Sequence, residues 1–385
     1  MSAKLVIGAN GFLGSHVTRQ LVAGAAGAAT SGAGAAGAAT SGAGAAGAAT
    51  SGAGAAGAAT SGGGGHDIRV MVRPNAMTVG IDDLPVTRFY GDIWDNDTLS
   101  EAMAGVDDVY YCVVDTRGWL RDPAPLFHTN VDGTRNVLEV AKTADLRKFV
   151  FTSSYVTVGR RRGHRASEDD IIVDGGGMSP TNRLRGLTPY VRSRVQAENI
   201  VLKSATEQGL PAVAMCVSTT YGSGDWGRTP HGAIIAGAAF GKLPFVMNGI
   251  ELEAVGVDDA ARALILAADR GRVGERYLIS EKMISNADVV RIAADAAGVS
   301  APTKSIPLPM SYALATAGSI KAKLRGTDEQ LSLGSLRLMR AEAPVDHSKA
   351  IRELGWEPRP VEESIREAAR FWVGLRDAKR KSKTA

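Results

Sequence analysis

The chain has little of what disulfide-rich, membrane-spanning or metal-dependent proteins need. Its two cysteines among 385 residues, Cys112 and Cys216, both lie inside apolar runs, which is typical of buried thiols in a reducing compartment. No apolar run reaches the roughly 18 residues of a spanning helix, and glycines interrupt the first residues where a signal peptide would be apolar. The six histidines show no H-x-x-x-H spacing, so no metal site is expected. These absences favour a cytoplasmic enzyme with no integral membrane span.

The chain also has little charge imbalance, since 44 basic residues stand against 40 acidic ones, for a net charge of +4. Much of the basic excess lies in two short runs, RRRGHR at 160–165 and KRKSK at 379–383. Such runs can mark nucleic-acid or membrane contact. Without interleaved aromatic residues or zinc-finger spacing, we interpret them as a solvated loop and a basic tail. The expected partner is therefore a small molecule and no nucleic acid.

One segment, residues 24–63, repeats the decamer GAAGAATSGA four times, with GG ending the last copy. It contains no charged residue, no aromatic residue and nothing larger than threonine, so it cannot bury enough apolar area to offset its backbone entropy. We predict a low-complexity, flexible insertion that is functionally silent. Without it, the helical segment ending at Ala23 leads directly into the strand-like HDIRVMV at 66–72.

The first residues predict a buried strand, Lys4–Ile7, followed by a glycine-rich turn and a helix. The turn reads GANGFLG, with Gly8, Gly11 and Gly14 at regular spacing. Glycines permit the tight turn and close backbone approach, and the helix N-terminus attracts a pyrophosphate, so a strand–turn–helix of this kind predicts dinucleotide binding. The residues of the turn that we expect at the cofactor are Gly8, Asn10, Gly11, Phe12, Leu13 and Gly14.

The second strand, Ile68–Val72, is followed by Arg73, which we expect to determine whether the chain binds NADP or NAD. Arg73 follows Gly14 by 59 positions, or by 19 once the 40-residue repeat is removed, which matches the offset of the ribose-reading residue. An arginine there can hold a 2′-phosphate and so favours NADP, with NAD as the alternative. After the next strand, Asp92 and Ile93 are expected to contact the adenine.

Further strands and helices alternate along the chain, with strands at 87–90, 108–114 and 148–154 and a helix at 129–142. This alternation predicts an α/β fold with a doubly wound parallel sheet of the Rossmann type. We place the dinucleotide-binding domain at 1–186. Residues 187–385 are expected to complete the sheet and form a smaller C-terminal α/β substrate domain.

Seven motifs resemble the extended short-chain dehydrogenase/reductases, which belong to the NAD-dependent epimerase/dehydratase superfamily. In chain order they are GANGFLG, GDI, NVDGTRNVLE, FTSS, PYVRSR, VGVDDAARA and DHSKAIRELGWEPRP. The resemblance is strongest to dihydroflavonol-4-reductase-like and 3β-hydroxysteroid-dehydrogenase-like members, and it covers the chain apart from the repeat. It implies an NAD(P)-dependent oxidoreductase, and a homodimer by analogy with relatives.

The resemblance places the catalytic residues at Ser154, Tyr190 and Arg194, with Ser153 as the alternative serine. A tyrosine hydroxyl can donate the proton that converts a nascent alkoxide into an alcohol. Arg194 departs from the family pattern, which has lysine at this position. It can hold the ribose hydroxyls and supply positive charge, but it cannot relay a proton, because guanidinium does not deprotonate in proteins. Two interpretations stay open, an active enzyme with an altered relay and a weakly active one.

The most favoured function is hydride transfer between NADP(H) and a carbonyl or secondary alcohol of a flavonoid-, steroid- or lipid-like substrate. A nucleotide-sugar epimerase or dehydratase with bound NAD is the alternative, and a non-catalytic nucleotide sensor is the third hypothesis. Loop residues around Trp119, Trp226 and His231 are candidates for the substrate pocket, with anchoring of the domain seam as the equal alternative for the tryptophans. Residues 306–320 predict a buried or pocket-covering helix.

Overall fold

Parallel strands alternate with helices in the first part of the chain, as predicted, except that the strands at Ile68–Val72 and Thr87–Tyr90 are joined by turns without a helix. The computed structural model describes residues 2–32, 67–159, 164–172, 188–330, 332–339 and 344–384. Its strands, in chain order, are β1 Lys4–Ile7, β2 Ile68–Val72, β3 Thr87–Tyr90, β4 Asp108–Tyr111, β5 Lys148–Ser154, β6 Ala212–Val217, β7 Thr219–Tyr221, β8 Val246–Met247, β9 Glu251–Gly256, β10 Arg276–Ile279, β11 Lys282–Ser285 and β12 Ser305–Ile306. Its helices are α1 Phe12–Gly32, α2 Asn96–Met103, α3 Ala124–Phe127, α4 Gly133–Ala141, α5 Pro189–Glu207, α6 Pro230–Ala239, α7 Val257–Arg270, α8 Asn286–Ala296, α9 Leu308–Arg325, α10 Leu333–Met339 and α11 Val361–Thr384.

Within these residues, seven strands form one sheet in the order β10-β6-β5-β4-β1-β2-β3, and every neighbouring pair is parallel. Lys4 of β1 lies opposite Ile68 on one side and Asp108 on the other. The strand order therefore reverses at β1, between β2 and β4. In doubly wound sheets the carboxyl edge at this switch point is where ligands bind, so the predicted fold is confirmed and its binding edge located.

Strand β4 ends at Tyr111, three residues earlier than the sequence pattern indicates. Cys112 still donates its backbone N–H to the Ile7 carbonyl oxygen at 2.9 Å. Beyond it the chain leaves the sheet to pass the turn after β1, where Gly8 lies against the backbone of Cys112 and the side chain of Val113. The apolar run continues past the strand because these residues line that contact.

Helix α1 does not end at Ala23 but continues to Gly32, so the first residues of the repeat are helical. Once earlier turns have nucleated a helix, each added residue costs little, and alanine favours propagation enough to carry it past single glycines. The flexible insertion that we predict for the rest of 24–63 lies outside the described residues from 33 onward.

The helix predicted at 129–142 is divided. A wider turn of the π type covers His128–Asp132, and the regular helix α4 runs from Gly133 to Ala141. π-type turns inside helices often mark functional positions. Here the turn contains Asn130, which is buried beside the loop after β4.

The C-terminal part adds a smaller unit, while β6 and β10 complete the main sheet. The smaller unit has a three-stranded sheet in the order β11-β9-β7 and a two-stranded pair, β12-β8, with α6, α8 and α11 packed around one apolar cluster. The domain boundary that we predict after residue 186 lies outside the described residues. Trp356 is fully buried, and its indole N–H donates to the Asp259 carbonyl oxygen at 2.8 Å, as expected for a packing residue.

Helix α9 shows that the segment 306–320 is not a buried helix, while its role in covering a pocket stays a prediction. It buries the small residues Ser311, Ala315 and Ala322. Tyr312 packs against the apolar cluster of the smaller unit, but most of the larger apolar residues are exposed, namely Met310, Leu314, Ile320 and Leu324. Small side chains let the helix approach the protein closely, and the pattern of apolar residues alone did not reveal which face is inward. Among the described helices, none combines the length and the apolar content that crossing a membrane would require.

Candidate active site

The turn after β1 is built around close backbone contacts that only glycine permits. Gly8 has a φ of 85°, a conformation that other residues rarely adopt. A Cβ on Gly14 would lie 2.3 Å from the Gly8 carbonyl oxygen and 3.1 Å from the Ala9 Cα. The first turn of α1 therefore rests directly on the backbone of the preceding loop. This contact aims the unpaired N–H groups of the helix N-terminus at the binding edge, where they can hold a pyrophosphate.

The other residues of the turn contribute in different ways. Asn10 lies half-buried in the turn, between the strand and the helix. The Phe12 ring packs edge-to-face on His16 with its centroid 5.6 Å away, and Leu13 packs against the main core. Because both side chains face protein, contact of Phe12 and Leu13 with a nucleotide would come from their backbone, and this stays a prediction.

Arg73 lies exposed immediately after β2, the strand next to β1. Its guanidinium has no hydrogen-bond or ion-pair partner among the residues that the structure describes. Gly8 donates its N–H to the Met71 carbonyl oxygen at 3.2 Å, so the glycine turn and the end of β2 are hydrogen-bonded together. A free cation at this position is suited to an anionic group on a nucleotide ribose.

Asp92 and Ile93 follow β3, at the same edge of the sheet. Ile93 is 7% exposed, and its side chain fills the space beside Gly133 of α4, where a Cβ would come within 2.3 Å of the isoleucine Cδ1. Asp92 is half-buried; its backbone carbonyl oxygen accepts from the Asp95 N–H at 2.9 Å, and its side chain has no hydrogen bond to another described residue. Of this pair, Asp92 therefore has the side chain that can reach a ligand.

The two serines at the end of β5 face different surroundings. Ser153 is buried, and its hydroxyl donates to the Glu198 carboxylate. Ser154 is half-buried at the last position of the strand, and successive side chains of a strand point to opposite faces. Because the Ser153 hydroxyl is already committed to Glu198, this arrangement favours Ser154 as the serine that meets a substrate.

Tyr190 and Arg194 lie one turn apart near the start of α5, whose N-terminus is capped by the Thr188 hydroxyl. Tyr190 packs against a small apolar cluster of Ile172, Val191 and Val195. Arg194 is 1% exposed. One of its terminal nitrogens donates to the Thr152 carbonyl oxygen of β5 at 2.5 Å, and its guanidinium lies 5.2 Å from the centre of the Phe151 ring. Helix α5 thus brings the tyrosine and arginine to the strand that carries Ser154.

The buried Arg194 guanidinium retains two nitrogens, Nε and Nη1, without a hydrogen-bond partner among the described residues. A buried charged donor left unpaired is costly, so it indicates a missing ligand. A dinucleotide fits these residues. The glycine turn would take its pyrophosphate, Arg73 its 2′-phosphate, and Arg194 the hydroxyls of its nicotinamide ribose.

Sequence reasoning missed Asn130 and Ser218. The Asn130 side chain bridges the loop after β4 to α5, since it exchanges hydrogen bonds with the Asp115 backbone at 2.8 and 3.0 Å and lies 3.1 Å from the Ser193 hydroxyl. Ser218 follows Val217, which pairs with Ser154, and its buried hydroxyl has no partner among the described residues. Asn130 lies inside a quoted motif, but nothing in the motif shows where its side chain points.

At the substrate end, the structure distinguishes between the two interpretations of Trp226, a pocket residue and an anchor of the domain seam. Its ring packs edge-to-face on Phe371 of α11 at 5.0 Å, which supports the anchoring role. Trp119 lies half-buried in the loop after β4. Burial lowers the pKa of His231 to about 4, so this ring is neutral near pH 7, and it packs edge-to-face on Tyr221 at 6.2 Å.

The chain is similar to known proteins in both sequence and structure. The chain matches the profile of the NAD dependent epimerase/dehydratase family over residues 4–280. A "Putative dihydroflavonol 4-reductase" of Synechocystis sp. is 29% identical over 316 residues, or 80% of this chain and 88% of the relative. "Sterol demethylase protein B" of Methylococcus capsulatus is 26% identical over 310 residues, or 80% and 91%. The crystal structure of gox2253 superposes with a TM-score of 0.74 at 28% identity, covering 97% of this chain and 99% of that one.

Proposed function

Because the chain belongs to the NAD dependent epimerase/dehydratase family, and is an NAD(P)-dependent oxidoreductase of the extended short-chain dehydrogenase/reductase type, we propose that it transfers a hydride between NADP(H) and a carbonyl or secondary alcohol. The observation that carries this proposal is Arg194, whose buried guanidinium lies beside the strand that ends in Ser154 and has two nitrogens with no partner in the described part of the chain. An active site of this kind needs a fixed cation next to the proton donor.

The roles of the three residues follow from their chemistry. When bound, the nicotinamide ring supplies or accepts the hydride. In the direction of reduction, the Ser154 hydroxyl donates a hydrogen bond to the substrate carbonyl oxygen, and the Tyr190 hydroxyl gives that oxygen its proton as the hydride reaches carbon. Arg194 holds the ribose and stabilises the tyrosinate that remains. Because Arg194 cannot give up a proton, the tyrosine must regain its own from water or from another group.

The substrate class that we propose is an apolar, ring-bearing ketone or alcohol. The two relatives described above carry the words dihydroflavonol and sterol in their names, and both are fused-ring compounds with an oxygen function. The half-buried Trp119 after β4 offers an aromatic surface suited to a flat ring. A nucleotide-sugar substrate is less favoured because Arg73 provides a cation for a 2′-phosphate that NAD lacks.

Titration calorimetry with NADPH and with NADH tests the cofactor part of this proposal. A charge-assisted, bidentate contact contributes about 1.5–3 kcal/mol, so we expect the wild-type chain to bind NADPH roughly 10- to 100-fold more tightly than NADH. The Arg73→Glu variant should lose that preference, because its carboxylate repels the 2′-phosphate and can accept from a 2′-hydroxyl.

The matched control is Arg135→Glu, which makes the same charge change at an exposed position of α4 and should leave both affinities unaltered. Equal affinity of the wild-type chain for the two cofactors would contradict the role of Arg73. Retention of NAD through purification would favour the epimerase or dehydratase alternative.

A further inference from the structure

Glu198 extends the row of site residues along α5 by one more turn. Tyr190, Arg194 and Glu198 are spaced four residues apart, so they share one face of the helix. Glu198 is 2% exposed, and the proposed mechanism gives its carboxylate no task. A buried carboxylate is costly unless it is fully paired, so its partners show what its charge is used for.

The side chains that surround the carboxylate come from three strands and the turn after β5. Its Oε2 accepts from the Ser153 hydroxyl of β5 and lies 2.8 Å from the Thr157 hydroxyl and 3.2 Å from the Cys216 sulfur of β6. Burial raises the pKa of Cys216 well above its usual value, so the thiol keeps its proton and can donate it. The other carboxylate oxygen of Glu198, Oε1, accepts from Arg276 of β10 at 2.9 Å.

Two of these partners flank Ser154. Ser153 precedes it in the strand, and the Thr157 hydroxyl lies 2.7 Å from the Ser154 carbonyl oxygen as well as 2.8 Å from Glu198. A hydroxyl has one proton, so Thr157 donates to one of these acceptors at a time. When Thr157 donates to Glu198, this carboxylate ties the chain on both sides of Ser154 to α5; when Thr157 donates to the Ser154 carbonyl oxygen, the bond from Ser153 still ties β5 to α5.

Arg276 anchors the other oxygen of Glu198. It is 8% exposed, and it also donates to the backbone carbonyl oxygens of Glu168 at 2.7 Å and Asp170 at 3.3 Å. The ion pair therefore has a fixed cation that cannot follow a displaced carboxylate. The ion pair fastens α5 to β10, while the bonds from Ser153 to Glu198 and from Arg194 to the Thr152 carbonyl oxygen fasten α5 to the end of β5 at two successive turns.

We propose that Glu198 is a positioning residue that sets the separation between the Ser154 and Tyr190 hydroxyls. These two groups come from different elements, β5 and α5, and the Glu198 carboxylate joins those elements by side-chain bonds on both sides of Ser154. The inference rests on the proposed function, since the separation matters only if both hydroxyls address the same substrate oxygen. Neither Glu198 nor its partners would touch the substrate.

The test compares the wild-type chain with Glu198→Gln, which keeps the shape of the side chain but removes its charge. Crystal structures of both with NADP⁺ give the distance between the Ser154 and Tyr190 hydroxyl oxygens, which we expect to lengthen in the variant by about 0.5 Å or more, the tolerance of a preorganised site. A displacement near 1 Å lowers turnover roughly 100-fold. We therefore expect kcat to fall by that order, while the Kd for NADPH stays within about twofold.

The control is Glu253→Gln, a second buried carboxylate that also accepts from a serine hydroxyl, Ser280, but lies on β9 away from α5. It should leave kcat unaltered at temperatures where it is folded. If Glu198→Gln does not fold, the double variant Ser153→Ala/Thr157→Val replaces it. This variant removes the bonds from Ser153 and Thr157 to Glu198 but retains the Arg276 ion pair. It should also lengthen the distance between the Ser154 and Tyr190 hydroxyl oxygens.

The inference fails if the distance between the two hydroxyls is the same in the variants and the wild type, whatever the activity. The proposed function fails separately, if the wild-type chain reduces no carbonyl compound with NADPH. A lengthened distance together with a selective loss of kcat supports both. A loss of thermal stability with unchanged kcat per folded molecule would show that Glu198 is only structural.

Discussion

Replacing Gly14 with alanine will weaken the binding of NADPH and NADH by roughly 100-fold or more. The new Cβ would lie 2.3 Å from the Gly8 carbonyl oxygen and 3.0 Å from the Gly8 carbonyl carbon. Both are backbone atoms, so no side chain can rotate away, and the first turn of α1 must move off the loop that presents its N–H groups. A displacement of about 1 Å is enough for a loss near 100-fold, and calorimetry measures it directly.

The same substitution at Gly24 is the matched control, because Gly24 lies in the same helix and a Cβ there would have no atom within 4 Å. Alanine is favoured over glycine in a helix by up to about 1 kcal/mol, so Gly24→Ala should bind nucleotide normally and unfold at a slightly higher temperature. Gly14→Ala should lose about 1–3 kcal/mol of stability through overpacking. Normal nucleotide binding by Gly14→Ala would refute the assignment of this turn.

Removing the phenolic oxygen of Tyr190 will lower kcat roughly 10²- to 10⁴-fold, the usual contribution of a positioned proton donor. The Tyr190→Phe ring keeps its packing against the cluster of Ile172, Val191 and Val195, so the affinity for NADPH should not alter. Steady-state kinetics with a carbonyl substrate and calorimetry with NADPH together separate the loss of proton transfer from a loss of binding.

Tyr110→Phe is the control for that substitution. Tyr110 is fully buried in β4, and its hydroxyl has no hydrogen-bond partner in the described part of the chain. Its removal should leave kcat within about twofold of the wild-type value. Equal turnover by Tyr190→Phe and the wild type would assign the proton donor to another group, and the mechanism proposed above would be wrong.

Much of the fold could be predicted from the sequence because its strands are short, apolar runs between glycine turns. β1, β2, β3 and β5 have the predicted bounds, and the parallel sheet follows from the largely alternating strands and helices. β4 was predicted too long because its apolar run continues into residues that pack on Gly8. α1 was predicted too short because alanine in the repeat sustains a helix that earlier residues had already nucleated.

Some residues of the candidate site could also be predicted from the sequence, and others could not. Gly8, Gly14 and Arg73 could be found from spacing, since a turn and a strand end fix their place along the chain. Glu198 and Asn130 could not, because their importance comes from partners distant in sequence, such as Arg276 and Asp115. Nor could the choice between Ser153 and Ser154, which depends on which face of β5 meets Glu198.

The proposed hydride transfer is tested most directly with NADPH that carries deuterium at the nicotinamide C4. The wild-type chain is given a panel of fused-ring ketones, and mass spectrometry follows the deuterium into the products. We predict an alcohol that carries the label at its new C–H bond, formed by the wild-type chain with Arg194 in place. Turnover only after Arg194→Lys would show that the native chain is the weakly active form. If no ketone gave a labelled alcohol, and the chain instead held NAD tightly and altered a nucleotide sugar, the proposed reduction of ketones with NADPH would be wrong.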